Sequence, residues 1–62
     1  MKRYAVCLLV KQNGGGVHLT PITIHLANDN GEAITEATNE FFSLNDPDSC
    51  VVLNTQSLLI EE

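Results

Sequence analysis

The chain has 62 residues, 44% of them hydrophobic and 5% aromatic, with three Lys and Arg against eight Asp and Glu for a formal charge of −5. That length holds one domain, residues 1–62, and folding hides only about 60% of the unfolded surface. The core expected is therefore a thin one of Val, Ile and Leu that gains from a partner subunit. Direct nucleic-acid binding is excluded by the acidic balance, and a membrane span by the lack of roughly 20 consecutive apolar residues.

Charge is segregated along the chain. Lys2, Arg3 and Lys11 precede every acid, and Asp29, Glu32, Glu36, Glu40, Asp46, Asp48, Glu61 and Glu62 follow. Lys2 and Arg3 ahead of the apolar run Tyr4 to Val10 resemble a secretion signal. Lys11 interrupts that run and no cleavage-type site follows, so a cytoplasmic location is expected. In that reducing compartment Cys7 and Cys50 read as small apolar residues rather than a disulfide.

Lys2 to Gln12 reads as a strand with two apolar faces, Tyr4, Val6, Leu8 and Val10 on one and Ala5, Cys7 and Leu9 on the other, which suits a central position. Asn13-Gly14-Gly15-Gly16 supplies a hairpin turn. Val17 to Leu26 alternates but slips phase at Pro21. A bulge there would return Val17, Leu19, Ile22, Ile24 and Leu26 to a common face, leaving His18, Thr20, Thr23 and His25 on the other, and the proline marks an edge strand.

Asp29 with Glu32 forms a capping-box pattern that starts a helix, whose apolar stripe is Ile34, Ala37, Phe41 and Leu44 and which Asn45-Asp46-Pro47-Asp48 ends. Ser49 to Leu53 is a further strand, and Asn54 to Ile60 is its bent continuation, a fourth short strand or a brief terminal helix, of which continuation is favoured. The order β-β-α-β predicts an α+β fold: a three-stranded antiparallel sheet, order 2-1-3, with one helix packed on one face. The opposite face is expected to expose Ala5, Cys7, Leu9, Cys50 and Val52 beside His18 and His25. An uncovered apolar strip of that size wants a cover, and a homodimer is the expected one.

Glu32, Glu36 and Glu40 lie at i, i+4, i+8 with no lysine between them. They form either a solvated ridge or the docking surface for a basic protein. His18 and His25 stand roughly 23 Å apart along a strand, too far to share a metal within one chain. The Asn28–Glu32 segment lacks the carboxylates of a calcium loop, and the glycines precede a strand rather than the helix of a phosphate loop. No triad order connects Tyr4, Cys7 and the histidines, so neither an enzyme nor a cofactor is expected. The leading expectation is a homodimeric protein–protein interaction or regulatory module. Alternatives are an acidic inhibitor that mimics nucleic acid in a basic groove, and a small-ligand or metal-binding accessory subunit using both histidines across a dimer interface.

Overall fold

In the computed structural model, which describes residues 1–62, β1 (Lys2–Gln12) is the middle strand of an antiparallel sheet. Along one side of it run β2 (Val17–Leu19) and β3 (Thr23–Ala27), and along the other β4 (Cys50–Glu61). The helix α1 (Asn30–Leu44) packs across one face of β1, β3 and β4. The fold is α+β, with the order 2-1-3 predicted from the sequence and the second ribbon divided in two.

That division has a definite geometry. Leu9 pairs with Leu19 and Lys11 with Val17, whereas Ala5 pairs with Ile24 and Arg3 with Leu26. The sums of the paired numbers change by one, so a single extra residue sits between Leu19 and Thr23, where Pro21 has no N–H to give the ladder. Around the break, the Thr20 N–H donates to the Leu8 carbonyl and the Leu8 N–H to Thr20 Oγ1, both at 2.9 Å.

Each helix end is built from its own sequence. Asp29, in extended backbone, accepts from the Glu32 N–H at 2.8 Å, the N-cap bond expected of this pattern. At the other end Asn45 Nδ2 donates to the Phe41 carbonyl at 2.9 Å, and Asp46 accepts from the Asp48 N–H at 2.9 Å within the turn before β4. Asn13 joins the hairpin turn to this one by donating through Nδ2 to the Asp48 carbonyl at 2.7 Å. Gly14, at φ +73°, holds the one left-handed position of the chain.

The core consists of Tyr4, Val6, Leu8 and Val10 from β1, Ala27, Cys50, and Ala33 with Ala37 from the helix, with Ile34, Phe41, Phe42 and Val52 half-buried around it. Small alanines on the inner helix face let its backbone approach the sheet. Leu44, expected in the helix stripe, is 80% exposed instead. The last turn overhangs the sheet where β2 lies, and α1 does not pack on β2.

Four residues expected on the open face lie on the helix face. Pairing partners in a ladder share a side of the sheet, and His18 pairs with Val10 and His25 with Tyr4. The five residues between Lys11 and Val17 set the phase of His18, and the extra residue at Pro21 that of His25; a one-residue change at either place would invert it. Cys50 pairs with Gln12 and Val52 with Val10, which puts both under the helix, and a bulge at Leu53 then reverses the phase of β4. Cys7 and Cys50 consequently occupy opposite faces as free thiols.

Candidate functional site

The open face of the sheet is the most extensive feature left unsatisfied by the fold. Ala5, Cys7 and Leu9 run down its centre, as the sequence implies, and none of them is fully buried. Beside them stand Val17, Leu19, Ile22, Ile24 and Leu26, each at least half exposed, and on the β4 side Val51 and Leu58. The break at Pro21 therefore gathers five apolar side chains onto one face, and that face is the one away from the helix. Water meets a nearly continuous hydrocarbon surface here, the arrangement that marks an interaction site in a folded protein.

The face has relief and a charge pattern. Ala5 and Cys7 floor a shallow hollow walled by Ile22, Gln56 and Leu58. Arg3 and Lys11 stand at opposite ends of β1, and Arg3 Nη1 lies 3.3 Å from Glu61 Oε1 on the neighbouring strand. Along β4 the open-face positions are Val51, Asn54, Gln56, Leu58 and Glu61, so that strand is polar at its middle, whereas the β2–β3 column is wholly apolar.

A second concavity, of about 300 Å³, opens on the helix face between the C-terminal half of α1 and β2. Val6, Leu8, Ala37 and Phe41 form its apolar lining, and His18, Thr20, Thr23 and Glu40 its polar part. Its size is at the bottom of the range for small-molecule pockets.

Thr23, His25 and Glu36 lie in line behind that cleft. Thr23 Oγ1 and His25 Nε2 share a hydrogen bond of 2.7 Å, and His25 Nδ1 is 3.7 Å from Glu36 Oε2. The order hydroxyl, imidazole, carboxylate is that of a nucleophile relay; beside it the Leu8 N–H donates to Thr20 Oγ1 and the Thr20 N–H to the Leu8 carbonyl, so neither of these two is free for a developing oxyanion. The His25 side chain is only 8% exposed, and the trio reads as a polar clamp that fixes α1 to β3.

The acidic ridge is correspondingly less free than its sequence suggests. Glu36 faces His25, and Glu32 accepts from Asn28 Nδ2 at 3.2 Å, while the Glu40 carboxylate has no partner in the chain. No three His, Cys, Asp or Glu side chains gather as metal ligands, and no helix is long and apolar enough to cross a membrane. Sequence reasoning missed the His25 clamp because the alternation of β3 does not say which of two apolar faces of β1 the helix will choose. No protein-family model, curated protein or solved structure matches the chain.

Proposed function

We propose that the chain is a non-enzymatic protein–protein interaction module that works as a homodimer, its two sheets packed through their open faces. The observation that carries this reading is the row Val17, Leu19, Ile22, Ile24 and Leu26, all exposed on the face opposite the helix. Dimensions support a second copy as the cover. The molecule measures 40 × 17 × 15 Å; a face of that full length and width, covered throughout, would bury at most roughly 600–700 Å² per copy, or about 1,200–1,400 Å² for a pair, which reaches the lower part of the range of stable interfaces.

The free edge of β4 is the other place for a second copy. Its register against β1 is interrupted at Leu53 and Ile60, and such bulges twist an edge away from regular pairing. Face packing is favoured for that reason. It leaves both helices outward, each displaying Glu32 and Glu40, and makes those surfaces the place where a basic protein would dock.

Replacement of Leu9 by Glu tests the reading. A carboxylate placed within a closed apolar interface loses its hydration, and the nearest cation of the face, Lys11, stands two residues away toward the end of β1, so Leu9→Glu disperses the dimer while circular dichroism stays that of the folded chain. A variant that keeps the dimer mass removes the open face from the interface.

A further inference from the structure

Resting on that dimer reading, we infer how the two copies are oriented: β1 stacks antiparallel over the partner's β1, about a twofold axis that crosses the strands at Cys7. Two symmetric ways lay this face on itself with the strands of the two copies aligned. One axis runs along β1, keeps the strands parallel and sets β4 over the partner's β2–β3 column. The other runs across the strands, reverses β1 and sets β4 over the partner's β4.

Three features of the face separate them. Polar matching comes first. With strands parallel, Asn54 and Gln56 lie on Leu19 and Ile22 of the other copy, which buries two amides without partners. With strands antiparallel, Gln56 meets its own symmetry mate and the apolar column lies on itself, Val17 over Leu26 and Leu19 over Ile24. Only Asn54 then meets an apolar side chain, Leu58 of the other copy, against two such amides in the parallel arrangement.

Shape gives the second. Ala5 and Leu9 are equidistant from Cys7 along the strand, so reversal places the Leu9 side chain of each copy over Ala5 of the other, where Ile22, Gln56 and Leu58 wall the hollow. Parallel stacking opposes Leu9 to Leu9 and Ala5 to Ala5, a bump against a bump and a void against a void. Charge gives the third. Arg3 and Lys11 are likewise equidistant from Cys7, so reversal sets Lys11 over Arg3 of the other copy, with Glu61 beside that Arg3 as the one acid for the two cations. In the parallel arrangement Lys11 faces Lys11 with no acid of β1 or β4 at that end of the open face.

The test is site-directed cross-linking of the full chain with a short bifunctional maleimide, after circular dichroism confirms that each variant is folded. The native Cys7 thiol cross-links to itself if the faces meet at all, and Cys50 is buried. In a Cys7→Ser background, Ala5→Cys and Leu9→Cys are cross-linked separately and as an equal mixture. The antiparallel arrangement predicts severalfold more covalent dimer in the mixture than in either variant alone. Gln56→Cys, an exposed position that places no demand on folding, is predicted to cross-link with itself. Self-cross-linking of Ala5→Cys and of Leu9→Cys, with no gain on mixing and none for Gln56→Cys, overturns the orientation and leaves the dimer standing. Cross-linking of Gln56→Cys alone, with Cys7 silent, points to pairing along the β4 edge and overturns both. Silence at every position, Cys7 included, overturns the dimer reading itself.

Discussion

Replacing Val10 by Ala probes the register on which the two faces of β1 depend. Val10 is wholly buried, paired with His18 on one side and Val52 on the other, beneath the helix. Truncation removes two methyl-sized groups worth about 0.8 kcal/mol each, and the incompletely filled space brings the loss to about 2 kcal/mol. Against a total stability of about 3–9 kcal/mol for a chain of this length, that is a large fraction, and it lowers Tm by roughly 8–16 °C. Urea and thermal unfolding followed by circular dichroism, at several protein concentrations to separate folding from association, measure it. A loss below about 0.5 kcal/mol would mean that Val10 does not face the core. Because a strand alternates with period two, that result would transfer Leu9 and Cys7 to the helix side and refute the assignment of faces.

Asp29→Ala removes the acceptor of the Glu32 N–H and is expected to cost about 1 kcal/mol, seen as a lower urea midpoint with unchanged slope. Thr23→Val keeps the shape of the side chain but takes away the hydroxyl shared with His25 Nε2. A nearly buried ring nitrogen left without that partner costs about 1–3 kcal/mol, whereas an unchanged unfolding midpoint would show that the His25 clamp contributes nothing.

Several features were legible because they depend on local chemistry. Apolar residues on both sides of Tyr4 to Val10 required a central strand, Pro21 at a phase slip required an interruption, and Asp29 with Glu32 required a helix start; each is found. Continuation of the last strand through Ile60 is found as well. The assignment of faces was not legible, for the same reason that the central strand was. When both sides of β1 are apolar, its pattern cannot say which one the helix takes, and the choice falls to loop length. Five residues between Lys11 and Val17 send His18 to the helix side of the sheet, the extra residue at Pro21 sends His25 there, and the pairing of Cys50 with Gln12 and of Val52 with Val10 puts those two on the same side. Period-two elements convert a one-residue difference into an exchange of faces, so the open surface emerged more apolar than its sequence implied, with isoleucines and leucines where histidines were expected.

That exchange strengthens the expectation of a second copy, since five large aliphatic side chains replace two imidazoles on the uncovered side. The most direct test is the mass of the unmodified protein by light scattering on a sizing column, across a dilution series. A face-packed dimer predicts twice the 6.8 kDa of the chain, falling toward the single-chain value only on dilution and for Leu9→Glu at every concentration. A mass of 6.8 kDa throughout the series, from a chain that is folded by circular dichroism, would contradict it.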